Sequence, residues 1–139
     1  MPQKKNKQTK DRRDRGDQSA MTPQCLRYSL KLIGNLSRTG MEAGNTGDFE
    51  KAFLNMEDAF SLAKDLNRKC LEAKLLNNFG LLYTMSGSWD QALLMYEQSM
   101  DVVTGYFGTD NTLYKALQKN IGYILNLDVS TGGHPEPAG

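Results

Sequence analysis

The chain has 139 residues and a formal net charge of +1, with 39% apolar and 24% charged residues. That is one domain's length, with enough apolar side chains for a modest core. Two distant cysteines with no Cys-x-x-Cys, and one histidine in a Gly/Pro-rich end, exclude the usual zinc, thioredoxin-like and disulfide-framework patterns, and no cofactor or metal is expected.

The charge is unevenly placed. Residues 1–20 carry seven Lys/Arg against three Asp, a net +4, and the other 119 residues carry ten against thirteen, a net −3. The opening segment, 1–21, is polar, lacks aromatic and β-branched apolar residues, and is expected to be a disordered basic tail. It leaves open a start at Met1 or at Met21. The segment lacks the apolar run of a secretory signal, and no stretch reaches the ~18–20 apolar residues that cross a bilayer. A cytoplasmic protein that does not enter membranes is the default expectation.

From 22 to 127 the apolar spacing is helical. Thr22 can cap a first helix and Pro23 suits its first turn. Leu26, Leu30, Ile33, Leu36 and Gly40 then follow at steps of three and four. "GNTGD" breaks that helix, and Asp48 can cap a second through Phe49, Phe53, Met56, Ala59 and Ala63. "DLNRK" is a short joint before a third helix, from about Arg68 to Ser86. "SGSWD" breaks again, and a fourth helix carries Trp89, Ala92, Tyr96, Met100 and Val103. "GYFGTDN" turns into a fifth, from about Asn111 to Leu127. The last stretch, 128–139, has three Gly and two Pro and is expected to be disordered. No segment alternates with period two, so the fold class is all-α.

The chain repeats itself. Shifted by forty residues, Leu36 falls on Leu76, Gly40 on Gly80, Gly47 on Gly87, Ala52 on Ala92 and Met56 on Tyr96. Shifted by forty-two, Asn78, Phe79 and Gly80 fall on Asn120, Ile121 and Gly122. A glycine inside a helix costs about 1 kcal/mol relative to alanine. The expected return is close approach: Gly80 and Ala92 let two backbones meet, with Tyr83 and Tyr96 in the core beside them.

This pattern resembles the tetratricopeptide repeat, W-x2-L-G-x2-Y, then G, then A-x3-F, then P. The second copy reads Leu76-x2-Phe79-Gly80-x2-Tyr83, Gly87, Ala92-x3-Tyr96; the first reads Leu36-x2-Thr39-Gly40-x2-Ala43, Gly47, Ala52-x3-Met56; the third keeps Ile121-Gly122. The spacing of forty to forty-two exceeds the usual thirty-four, and Thr104 stands where the closing proline belongs. It is similar to the long repeats of kinesin light chains and of Leu-Gly-Asn-repeat adaptors. The resemblance implies antiparallel hairpins stacked as a short α-solenoid, about two repeats and a capping helix, acting as a non-catalytic adaptor.

It also implies that the first helix of each repeat lines a concave wall. The candidate groove residues are Arg38, Met41, Lys74, Asn77, Asn78, Leu81, Met85, Lys119, Asn120 and Tyr123. Arg38, Asn78 and Asn120 hold matching positions, and an amide can donate to and accept from a peptide at once. Methionine and leucine offer an adaptable apolar floor. The lysines and arginine favour an acidic protein or peptide partner. A homo-oligomer is the alternative, because the fifth helix carries Leu113, Leu117, Ile121, Ile124 and Leu125, enough either to cap the array or to offer a stripe to a second copy. Nucleic acid is not the expected partner, since a +4 tail diluted by aspartates gives only salt-sensitive, non-specific affinity. Cys25 and Cys70 are expected as half-buried small hydrophobes, Trp89 at a hairpin turn, and no catalytic constellation can be assembled.

Overall fold

The computed structural model describes residues 21–129, the last three by backbone alone. The described chain is five helices: α1 Pro23–Asn45, α2 Phe49–Asp65, α3 Lys69–Met85, α4 Trp89–Tyr106 and α5 Thr112–Val129. The expected tails lie outside the described residues except at their inner edges, where Met21 packs on the core and α5 runs on to Val129.

Local chemistry sets the boundaries. The Thr22 hydroxyl accepts from the Cys25 backbone N–H at 3.0 Å with Pro23 in the first turn, Asp48 accepts from Lys51 N–H at 3.2 Å, and Asn111 accepts from Tyr114 N–H at 2.8 Å. Each satisfies a donor that a helix start leaves free. The turns after α1 and α3 pass through Gly47 (φ 89°) and Gly87 (φ 85°), a backbone conformation that glycine adopts at no steric cost. Asn67 (φ 54°) takes that place between α2 and α3, where the sequence shows no glycine.

Successive helices pack as hairpins: α1 on α2, α2 on α3, α3 on α4 and α4 on α5. In addition α1 touches α3 and α3 touches α5. The odd-numbered helices therefore form one layer, and α2 and α4 form a second layer over it. Two apolar clusters hold the layers. Ile33, Ala52, Met56, Ala59, Ala63 and Leu82 belong to the first, and Ala92, Tyr96, Val103, Leu117 and Ile124 to the second. Each large side chain buried in this way contributes about 1.5–3 kcal/mol.

The repeated glycines differ in what they admit. A Cβ on Gly40 would sit 3.1 Å from the Ala52 carbonyl oxygen and 3.3 Å from Met56 Cε, so backbone approach holds there. At Gly80 the expectation is corrected. A Cβ there would overlap the Tyr96 ring, so this glycine makes room for an aromatic side chain and not for the α4 backbone. At Gly122 nothing lies within 4 Å of that position. Tyr96 is 1% exposed. Thr84 donates to the Gly80 carbonyl at 2.8 Å, which leaves the Tyr96 hydroxyl to donate to Thr84 Oγ1 at 3.2 Å. Tyr83, its expected companion in the core, is half-buried and packs on Phe53 at 4.7 Å between ring centroids. The expected burial of the cysteines is also corrected: Cys25 and Cys70 are both exposed, each in the first turn of its helix.

Candidate functional site

Helix α3 is packed by all four other helices, and burial reflects it. Its only exposed residues are Cys70 and Lys74; Lys69, Leu71, Asn77, Asn78, Tyr83 and Met85 are half-buried. Lys74, Asn77, Asn78 and Met85 therefore mark the strip of α3 that reaches solvent on the odd-helix layer. Arg38 and Lys119 are exposed on α1 and α5, and Met41 and Tyr123 are half-buried. Leu81 and Asn120 are buried, at 8% and 3% exposure, beneath this surface.

The asparagines have partners inside the molecule. Asn78 Nδ2 on α3 donates to Ser37 Oγ on α1 at 3.0 Å. Asn120 Nδ2 on α5 donates to Asn77 Oδ1 on α3 at 3.0 Å. The matched amides thus run as ties from one odd-numbered helix to the one before it. Asn120 Oδ1 is buried with no hydrogen-bond partner. Arg38 is held on its own helix, donating to Asn35 Oδ1 at 3.1 Å and lying 4.0 Å from the Glu42 carboxylate. Lys69 is likewise engaged, 3.5 Å from the buried Glu72 carboxylate and 5.6 Å from the Tyr106 ring centroid.

Charge separates the two layers. The odd-numbered helices carry seven Lys/Arg against three Asp/Glu, a net +4; α2 and α4 carry two Lys against seven Asp/Glu, a net −5. Beyond the residues singled out from the sequence, the cationic layer includes exposed Arg27, Lys31 and Lys115. Two or three cations on each odd-numbered helix are easily read as ordinary solvation. Counting charge by alternate helix would have exposed the pattern.

Two shallow pockets lie elsewhere. One of about 420 Å³ sits among Leu30, Arg68, Lys69, Cys70, Leu71 and Phe107, and one of about 410 Å³ lies between α1 and α2 at Leu36, Asp58 and Leu62. Neither includes a residue of the candidate face. Among the described residues no helix is long and apolar enough to cross a membrane, and no group of three His, Cys, Asp or Glu could hold a metal ion.

Among the described residues the architecture is an all-helical array of adjacent packed helices, and the sequence repeats within it. No family model matches it, and no solved structure matches it. A stretch of 73 residues is 30% identical to the regulatory protein RapG of Bacillus subtilis (strain 168), covering 52% of this chain and 20% of that protein. The chain thus matches about a fifth of the relative's length.

Proposed function

We propose that this is a tetratricopeptide-like, non-catalytic interaction module with a regulatory role, and that its odd-helix layer binds an extended acidic segment of a partner protein. The observation that carries the reading is the division of charge: net +4 on the layer that holds Arg38, Lys74 and Lys119, against −5 on the other. Lys74 and Lys119 reach solvent, half-buried Met41, Met85 and Tyr123 supply apolar contact, and Asn77 and Asn78 keep atoms at the surface while bracing the helices. Complementary charge speeds encounter and selects the partner's sign. The resemblance to a regulatory protein supports the non-catalytic side of the reading.

The test is binding of a short fluorescent peptide of Glu and Leu to residues 1–139 and to variants. Lys74→Glu/Lys119→Glu should weaken it roughly tenfold or more, and Lys51→Glu/Lys64→Glu on α2 should leave it nearly unchanged. Equal loss in both variants would mean that net charge, and not this face, attracts the peptide.

A further inference from the structure

The α2/α4 layer carries a second regularity. Leu54 is 55% exposed and Leu94 is 49% exposed. Forty residues separate them, and each is the sixth residue of its helix. In α2 the buried stripe is Ala52, Met56, Ala59 and Ala63, and in α4 it is Ala92, Tyr96, Ser99 and Val103. At 3.6 residues per turn each leucine points directly away from its stripe. Acidic residues surround both at the same offsets: Glu50 and Glu57 beside Leu54, Asp90 and Glu97 beside Leu94, all exposed. A single exposed leucine needs no explanation. A pair at the repeat spacing, each set among acids, makes a ridge with two apolar teeth and a net negative charge.

The complementary surface is present on the same molecule. The odd-helix layer is net positive, and half-buried Met41, Met85 and Tyr123, one on each of its three helices, reach its surface. The two faces therefore match in sign, and both carry apolar side chains on successive helices of their layer. We propose that the leucine-bearing acidic face of one copy docks on the cationic odd-helix face of a second copy. Such a contact joins unlike surfaces, so it leaves one free face of each kind and can propagate. Two ridges make a small interface, so the association is weak, and its charge makes it salt-sensitive. The contact shares the cationic face with the proposed acidic peptide, so the two compete. It does not depend on peptide binding being correct.

Sedimentation velocity over a concentration series tests this on the full chain, each variant first being checked for helicity by circular dichroism. Wild type should associate at low salt, with the association constant falling roughly tenfold at high salt. Glu57→Lys/Glu97→Lys and Lys74→Glu/Lys119→Glu should each be monomeric alone. Mixed together they should associate again, because every contact between the two variants pairs opposite charges. Leu54→Ser/Leu94→Ser keeps all charges and should still lose association. Glu57→Lys/Glu97→Lys should retain the acidic peptide, which separates this proposal from the function above. A wild type that stays monomeric at low salt, variants that associate like wild type, or a mixture that stays monomeric would each overturn the proposal. So would association that disappears when residues 1–20 are removed while both faces are intact.

Discussion

Gly80 and Gly122 hold equivalent positions in the repeat, yet they predict opposite outcomes for the same substitution. At Gly80 an added methyl overlaps the Tyr96 ring, which is buried on all sides and tied to Thr84. Gly80→Ala should therefore destabilise by about 1–3 kcal/mol, as overpacked cores do. At Gly122 the space is open, and Gly122→Ala should stabilise by up to about 1 kcal/mol through helix propensity alone. Denaturation midpoints of the two variants decide it, and equal shifts would contradict the distinction. Tyr96 makes a second prediction. Burial pushes its hydroxyl up to about 12, the approach of Tyr123 adds to this, and the Thr84 hydrogen bond opposes it. The unfolded side chain ionises near 10. The native state thus holds the proton more tightly, and this contribution is complete below pH 10 and lost as pH rises towards 12. Its size is on the order of 2–3 kcal/mol. Stability measured at pH 9 and at 11.5 should fall less steeply in Tyr96→Phe than in wild type. The repeat located these residues from the sequence, but it did not show that a ring, and not a backbone, fills the gap at Gly80. Periodicity fixes a side chain's face and not what stands opposite it.

At the scale of helices, the breaks at "GNTGD" and "SGSWD" were legible because left-handed turns favour glycine, and Gly47 and Gly87 are indeed at positive φ. The joint at Asn67 was less marked because asparagine tolerates the same conformation without announcing it. The matching positions of Arg38, Asn78 and Asn120 were legible in the repeat. Their bonds were not, since Asn78 reaches 41 residues back to Ser37 and Asn120 reaches 43 back to Asn77. A polar residue on an inner helix can face a ligand or the next helix, and spacing alone does not separate the two. Helix starts carry a further prediction. Asp48 caps α2, whereas Arg68 starts α3 with no side-chain cap although its backbone (φ −99°, ψ 92°) is close to that of Asp48 (φ −86°, ψ 74°). Arg68→Asn should raise stability by about 0.5–1 kcal/mol, and Asp48→Ala should lower it by about 1 kcal/mol. Urea denaturation of both variants checks the pair, and no gain at Arg68 would mean that water already satisfies those donors.

For the whole molecule, the decisive feature is how little the two cores share. The first cluster draws on α1, α2 and α3, the second on α3, α4 and α5, and Tyr83 of α3 packs against both. Helices far apart in the chain meet mainly through α3, with Met95 of α4 also packed against the first cluster. In arrays of this kind stability is nearly a sum of unit and neighbour terms, so damage stays local. Ile33 is 2% exposed in the first cluster, and Ile33→Ala should cost about 2–5 kcal/mol. That is a large share of the roughly 5–15 kcal/mol that holds an ordinary domain together. Hydrogen exchange should show protection falling in α1 and α2, falling less in α3, and nearly unchanged in α4 and α5. The mirror variant Ile124→Ala, in the second cluster, should weaken α5 and α4 and spare α1. A uniform loss of protection over all five helices in either variant would mean that the layers unfold as one cooperative unit. Neighbour terms would then not describe this fold. If protection does divide at α3, the two charged faces rest on a scaffold whose ends can open separately. Binding that spans the odd-helix layer would then raise the protection of α1 and α5 together, because both ends contribute cations to the same face.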